Sequence, residues 1–101
     1  MIMDPALPDL QIADVVASTA GRDMGKWFYV ISMDDTYLML ANGKDRRIEN
    51  PKRKKRKHAV KVLRSETRVA AKLRAGDKVL NSELRRDLAY LAKLQSNNLG
   101  G

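Results

Sequence analysis

The most chemically distinctive stretch of this sequence is a run of six consecutive basic residues, Lys52–Lys57. Side chains of one charge at this density attract a polyanion, because each phosphate that they neutralise releases condensed counterions. Residues 44–64 contain eleven Lys and Arg and two acidic residues, a net charge of +9, whereas the whole chain carries +8 and the remainder therefore −1. One basic patch on an otherwise nearly neutral chain is typical of a nucleic-acid-binding protein.

We interpret this patch as a basic loop over residues 44–58 that is mobile when free and becomes ordered on a phosphate backbone. Pro51 stiffens the start of the basic run, and a strand pattern follows it. A solvated loop without a ligand and a nuclear-import signal are the alternatives. The residues that we expect to contact nucleic acid in and just after this loop are Lys44, Arg46, Arg47, Lys52, Arg53, Lys54, Lys55, Arg56, Lys57, His58 and Lys61.

A second candidate site is the segment GRDMGK at residues 21–26, which lies between two apolar runs. Glycines beside strands often mark a positive φ or the close approach of another backbone. We therefore expect Gly21 and Gly25 to shape a loop that RNA can approach, with Arg22 and Lys26 pairing with phosphates or stacking on an unpaired base. Asp23 is expected to brace Arg22 or to cap the turn. An ordinary polar hairpin loop is the alternative.

The residue types favour binding over catalysis. His58 is the only histidine and cysteine is absent, so neither a metal site nor a disulfide is expected. Asp34 and Asp35 have the spacing of a solvated turn rather than that of a paired acid and base. The sequence contains neither a phosphate-cradling loop before a helix nor a nucleophile elbow. We expect a protein that is not an enzyme, with no cofactor and no small-molecule substrate.

Most of the aromatic residues are expected in the core. Alternation along one strand places Phe28 with Val30 on one face and Trp27 with Tyr29 on the other. One set would then fill the core, and the other would lie under helices or remain partly exposed. Stacking of a base on an exposed Trp27 or Tyr37 is the alternative.

The elements that must position these side chains are short strands joined by tight turns. Asn42 and Gly43 form a strong hairpin signal, after which a short edge strand is expected. Five strands in about fifty residues predict a small antiparallel SH3-like barrel over residues 10–64, after an irregular lead-in over 1–9. The expected strands are Asp14–Ser18, Trp27–Ser32, Tyr37–Ala41, Lys44–Glu49 and His58–Leu63.

Beyond Arg64 the periodicity changes to that of helices, so the fold class is mostly β with a C-terminal α extension over residues 65–95. Ser65 is suited to cap a helix over Glu66–Ala75, and Gly76 is suited to end it. A second helix begins after a cap at Asn81 or Ser82.

The second helix carries an apolar stripe of Leu84, Leu88 and Leu91, which Leu80 and Ala92 widen. Arg85, Arg86 and Asp87 are expected to face away from it. We expect the stripe to pack on the barrel of the same chain, with a partner protein as the alternative. Residues 96–101 are expected to form a frayed tail.

Two short motifs, in the order in which they occur along the chain, resemble the marks of a known protein family. The GRDMGK segment, preceded by Asp14-Val15-Val16 and followed by an aromatic strand, resembles a KOW motif, and the Pro51–His58 run before the last strand is the second mark. Together they are similar to the small KOW-domain RNA-binding proteins related to the archaeal and eukaryotic large-subunit ribosomal protein L-fourteen-e, a family with bacterial members. Trp27 or Phe28 replaces a third glycine of the general KOW pattern, which argues against the KOW domains of transcription elongation factors.

The resemblance, which covers about residues 10–64, implies binding to structured ribosomal RNA on or near the large ribosomal subunit, with ribosomal proteins as further partners. The basic patch alone indicates nucleic acid in general. A protein-interaction module and a DNA-binding or transcription-associated KOW factor are the rival functions. The sequence shows neither a secretory leader nor a membrane span, so a cytoplasmic protein is expected, and the resemblance implies a role in translation.

Overall fold

The computed structural model of the protein describes residues 9–100, and the side chains of residues 9–96. The described part consists of five strands, one 3-10 turn and two helices. In chain order these are β1 (Asp14–Ser18), β2 (Trp27–Met33), β3 (Tyr37–Ala41), β4 (Lys52–Lys55), the 3-10 turn (Arg56–His58), β5 (Ala59–Arg64), α1 (Arg68–Ala75) and α2 (Asn81–Gly100). The predicted class, a small β domain followed by two helices, is confirmed.

The strands form one antiparallel sheet in the order β4-β3-β2-β1-β5. This arrangement is consistent with an SH3-like barrel. The 3-10 turn connects β4 to β5, the two strands at the edges of the sheet. The sequence therefore brings the basic run to one edge of the sheet and leads it directly into the strand at the other edge.

Each face of the sheet has its own apolar core, as the alternation in β2 predicts. Phe28 and Val30 lie in a core on one face with Leu10, Val16, Leu38, Leu40 and Ala59. Tyr29 points to the other face and packs with residues of β1, α1 and α2, against which Trp27 is half-buried. A strand covered on both faces explains why β2 is an almost unbroken apolar run.

Two predictions about residues 44–58 are wrong. No strand covers Lys44–Glu49, because Asn42 Oδ1 accepts the backbone N–H groups of Lys44 and Arg46, at 3.0 Å each, and folds this segment into a turn. The strand at this edge is instead Lys52–Lys55, paired with β3 from Leu40 to Tyr37. The basic run is therefore an ordered edge strand rather than a loop, and lysines are well suited to an edge because their charge discourages further strand pairing.

The helix caps differ by a few residues from those expected. Thr67, not Ser65, caps α1, and its Oγ1 accepts the N–H of Ala70 at 3.2 Å. Gly76 ends α1 in the left-handed conformation, with φ +76°, as predicted. Ser65 is buried and bonds to the Tyr29 hydroxyl at 2.7 Å.

Helix α2 buries the predicted stripe of Leu84, Leu88 and Leu91, and these residues pack in the core shared with Tyr29 and α1. Leu80 and Ala92 do not widen it, because both are exposed, and Leu80 precedes the first helical turn. The helix continues to Gly100, through most of the segment predicted as a frayed tail. Residues 1–8 of the expected lead-in lie outside the described residues.

Asp87 does not face away from the stripe. It accepts hydrogen bonds from the Tyr29 hydroxyl and, at 2.8 Å, from Thr67 Oγ1. The helical period explains this contact, because Asp87 is three residues after Leu84 and four before Leu91 and so lies on the flank of the apolar face. The carboxylate thus joins the barrel to both helices.

The turn after β3 holds the start of α2. Gly43 has φ +77°, and a Cβ there would lie 2.2 Å from the Asn81 carbonyl oxygen. Arg85 Nη1 donates to the Gly43 carbonyl at 2.8 Å, and the Ile48 N–H donates to Asn81 Oδ1 at 2.9 Å. Only glycine allows the helix to approach this closely.

Candidate nucleic-acid interface

The glycine loop, residues 19–26 between β1 and β2, has the backbone that its sequence predicts. Gly21 and Gly25 have φ of +75° and +84°, which favour glycine. The loop is closed by the Gly25 N–H, which donates to the Ser18 carbonyl at 2.8 Å, and by the Lys26 N–H, which donates to the Asp23 carbonyl at 2.8 Å. Arg22 lies at the tip and is exposed.

Strand β4 fixes the glycine loop through two lysines of the basic run. Lys52 pairs with Asp23 at 3.0 Å, and Lys54 Nζ donates to the Ala20 carbonyl at 3.3 Å. The carboxylate of Asp23 therefore pairs with β4 and does not brace Arg22, contrary to the expectation. Its hydrogen bond to the Lys52 ammonium holds the pKa of Asp23 below its usual value.

Alternation along β4 divides its basic side chains between two faces. Lys52 and Lys54 lie towards the glycine loop, and Lys54 is only 9% exposed because its aliphatic stem is covered. Arg53 and Lys55 lie on the opposite face and are exposed. Lys52 and Lys54 therefore fix the glycine loop, whereas the side chains of Arg53 and Lys55 are available to a ligand.

The turn between β3 and β4 adjoins the glycine loop on another side. Lys26 pairs with Asp45 at 3.1 Å, and Arg47 pairs with Glu49 at 3.6 Å. Lys44 is exposed and Arg46 is half-buried. Of these predicted contact residues, Lys44 is the most available to a ligand.

The 3-10 turn also contacts the glycine loop. The Thr19 N–H donates to the His58 carbonyl at 2.9 Å, so the backbone of this turn touches the start of the glycine loop. Arg56 Nη1 donates to the Asp34 carbonyl at 3.2 Å, and Lys57 is exposed. The His58 side chain is half-buried.

Lys61 has a structural position instead. Its ammonium is 3.3 Å from the fully buried carboxylate of Asp14 and donates to the Asp9 carbonyl at 3.1 Å. Asp14 also lies 3.5 Å from Arg64 on the same strand as Lys61. A buried carboxylate needs such partners, so Lys61 stabilises the pairing of β1 with β5 and is not free for a ligand.

Two residues beside the surface were not among the predicted contact residues. Arg85 of α2 reaches the turn after β3 and lines a groove with Trp27, Asn42 and Lys44. The guanidinium carbon of Arg53 lies over the Tyr37 ring, 3.7 Å from the ring centroid. The sequence offers Tyr37 as an alternative stacking residue, whereas only the docking of α2 reveals the position of Arg85.

We use the name basic surface for the exposed cations of the glycine loop, of the turn after β3, of the outer side of β4 and of the 3-10 turn: Arg22, Lys44, Arg53, Lys55 and Lys57. No ion pair joins these five residues to another part of the described chain. They are therefore free to pair with phosphates. Within residues 9–96, no group of three His, Asp or Glu side chains is placed to hold a metal ion.

No model of a known protein family matches this sequence, and no curated protein matches it either. Among the described helices, none has the length and apolar character needed to cross a membrane.

Proposed function

We propose that this protein binds structured RNA through the basic surface. The observation that carries the proposal is the packing of three successive basic segments of residues 42–58 around the glycine loop, which lies far from them in the sequence. The Lys52–Asp23, Lys54–Ala20, Lys26–Asp45 and Thr19–His58 contacts bring β4, the 42–50 turn and the 3-10 turn together around that loop. Because the backbone that carries the exposed cations is already ordered, binding loses little backbone conformational entropy.

The physical basis of binding is phosphate neutralisation. Arg22, Lys55 and Lys57 present full charges on flexible stems, and each phosphate contact releases counterions. Arginine adds a planar fork that matches two phosphate oxygens. The protein acts without catalysis, cofactor or small-molecule substrate in this proposal.

Ribosomal RNA is the proposed ligand, on or near the large ribosomal subunit in the cytoplasm. The support is the resemblance of the glycine loop and the Pro51–His58 run to KOW-domain ribosomal proteins. The strand order, which is consistent with an SH3-like barrel, agrees with the fold that this resemblance implies. Large RNA is recognised through shape, backbone and unpaired bases, for which an array of surface cations is sufficient.

The test removes three charges from the basic surface and compares the result with a control of equal charge. The site variant carries Arg22→Ser, Lys55→Ser and Lys57→Ser, and the control carries Arg68→Ser, Lys78→Ser and Lys93→Ser, which are exposed on or beside the helices. Both variants lose three positive charges. We expect the slope of log affinity against log salt, measured with a structured ribosomal RNA fragment, to fall by about 2 to 3 in the site variant, because each contact contributes about 0.7 to 0.9.

The control variant should keep most of the wild-type slope. Equal losses in the two variants would show that binding depends on net charge alone and would overturn the assignment of the surface. Equal affinity of the wild-type protein for duplex DNA and for the RNA fragment would instead favour the rival function of a DNA-binding protein.

A further inference from the structure

The outer face of the β3–β4 pair is covered by helices at one end only. Leu38 and Leu40 of β3 point into one core, so Tyr37, Met39 and Ala41 point to the other face. Ala41 is buried in the core beneath α2, whereas Tyr37 and Met39, farther along the strand, remain partly exposed. The sheet therefore presents an uncovered surface at the end of β3 that is distant from the helices.

On this surface Arg53 is stacked on an aromatic ring. Tyr37 is opposite Lys55, and Met39 is opposite Arg53, so Arg53 is the diagonal neighbour of Tyr37 and is within reach of its ring. The Arg53 guanidinium carbon lies 3.7 Å from the ring centroid, well inside the range of about 6 Å for a cation–π contact. Neither a hydrogen bond nor an ion pair ties the Arg53 side chain to another described residue.

This stack prepares Arg53 for a ligand. The Arg53 guanidinium lies over the Tyr37 ring, and the exposure of the side chain leaves its other side accessible. A guanidinium is planar, weakly hydrated and able to stack, unlike an ammonium. Holding it against a ring removes rotational freedom before any ligand arrives, which lowers the entropic cost of a further stacking contact.

Cations suited to phosphates lie beside the stack. Lys55, Arg56 and Lys57 line a groove with Asp35 and Thr36. Asp34 is close by, but its carboxylate already accepts the N–H groups of Thr36 and Tyr37, at 2.8 and 2.7 Å. Three cations against the two carboxylates of Asp34 and Asp35 leave a net positive charge in and beside this groove.

We propose that Arg53, held over the Tyr37 ring, is a stacking site for an unpaired RNA base, with the adjoining phosphate in the groove of Lys55 and Lys57. This inference rests on the proposed RNA binding and narrows the ligand to RNA with unpaired nucleotides. A duplex keeps its bases stacked on one another and offers only its backbone to such a surface. A flat cation over an aromatic ring adds affinity for the face of a base, which a set of mobile lysines does not provide.

The test uses two RNA hairpins of the same stem, one with a normal loop and one whose loop nucleotides lack their bases. Both probes carry the same number of phosphates, so only the base contribution differs. We expect wild-type protein to bind the normal loop roughly five to a hundred times more tightly, because a base stacked on a protein platform contributes at that level.

Arg53→Lys keeps the charge and removes the planar group, and we expect it to lose most of that preference while keeping its salt dependence. Arg47→Lys is the matched control, since Arg47 is exposed and pairs with Glu49 away from Tyr37. Tyr37→Leu should have the same effect as Arg53→Lys, and thermal melting shows whether this half-buried site tolerates the change. Since Arg53 is exposed, Arg53→Lys keeps the test decisive even if Tyr37→Leu unfolds the protein.

The outcomes separate this inference from the function on which it rests. Equal binding of both hairpins by wild-type protein, with a steep salt dependence, would overturn the stacking site and leave phosphate-mediated RNA binding in place. Binding of neither hairpin would overturn both. A preference for bases that survives Arg53→Lys but is lost in Trp27→Leu would place the stacking site in the groove of Trp27 and would also overturn the inference.

Discussion

Glycine and charged residues have different roles on the helix-covered face of the sheet and in the glycine loop. Where α2 docks, a Cβ on Gly43 would meet the Asn81 carbonyl at 2.2 Å, whereas a Cβ on Gly21 or Gly25 would meet nothing within 4 Å. Asp87 is hydrogen-bonded to Tyr29 and Thr67 on the helix-covered face, whereas Arg22 is exposed in the glycine loop.

This difference separates residues that stabilise the fold from those that are free to bind. On the helix-covered face, close packing demands glycine and buried polar groups need partners, because an unpaired group there would cost about 1 to 3 kcal/mol. Around the glycine loop the backbone conformation alone demands glycine, and the space beside it is open. A surface that must accept a ligand keeps such space.

The largest effect is expected from Gly43→Ala, with Gly21→Ala as its matched control. The two glycines have nearly equal φ, +77° and +75°, so both substitutions introduce the same backbone strain. Only the Cβ added at position 43 also meets the backbone of α2. We expect Gly43→Ala to lower the free energy of unfolding by about 2 to 5 kcal/mol and Gly21→Ala by about 1 to 2 kcal/mol.

Denaturant titration of the two variants measures this difference directly. Because the backbone strain is the same at the two sites, the difference in free energy of unfolding reports the contact between the turn after β3 and the start of α2. Equal losses of stability would show that α2 does not need the close approach at Gly43, and the contrast between the two regions would then fail.

A smaller effect is expected from Tyr29→Phe, which removes the hydroxyl bonded to Asp87 and Ser65. Burial, with the hydrogen bond to the Asp87 carboxylate as a second cause, raises the pKa of Tyr29 to about 12. Because the folded protein holds the protonated phenol, this contribution to stability is complete below about pH 10, the pKa of an unperturbed tyrosine, and is lost as the pH rises towards about 12. We expect Tyr29→Phe to cost about 1 to 3 kcal/mol at about pH 8 and much less near pH 12.

The measurement is the free energy of unfolding of wild type and variant at several pH values between about 8 and 12, the range that brackets the tyrosine titration. Lysine deprotonation affects both proteins alike, so the difference between them reports Tyr29. Tyr90→Phe is the control, since Tyr90 is exposed and its hydroxyl should contribute little to stability. A gap between Tyr29→Phe and wild type that stays constant across the whole range would mean that the hydroxyl does not titrate within the fold.

Local patterns predicted the parts of this fold that depend on local periodicity. The alternation of Phe28 and Tyr29 gave the two faces of β2, and the spacing of Leu84, Leu88 and Leu91 gave the buried stripe of α2. The positive φ of Gly21 and Gly25 was also predicted correctly. These features follow from chain geometry that is the same in any context.

The errors concern contacts between distant segments. A run of lysines and arginines has little intrinsic strand preference, and Lys52–Lys55 forms a strand because β3 offers an unpaired edge. The close approach of α2 at Gly43 was not predicted, because the sequence indicated only a turn there. Such positions depend on where a helix from another part of the chain docks.

The candidate interface was predicted as a set of residues but not as an arrangement. Charge alone identified the basic run, yet it could not separate Lys54, whose ammonium fixes the glycine loop, from Lys55, which is exposed. Alternation would have divided them only if β4 had been recognised as a strand. The same applies to Lys61, which pairs with buried Asp14.

The finest test of the comparison lies between these neighbours in one strand. Lys54→Ser and Lys55→Ser remove the same charge, but only the first removes a covered stem and the bond to the Ala20 carbonyl. We expect Lys54→Ser to lower the free energy of unfolding by about 1 to 2 kcal/mol and Lys55→Ser by less than about 0.5 kcal/mol. Lys55→Ser should instead reduce the salt slope of RNA binding by about 0.7 to 0.9. Thermal melting together with salt titration of RNA affinity measures both effects, and a Lys55→Ser variant as destabilised as Lys54→Ser would show that β4 has no free side.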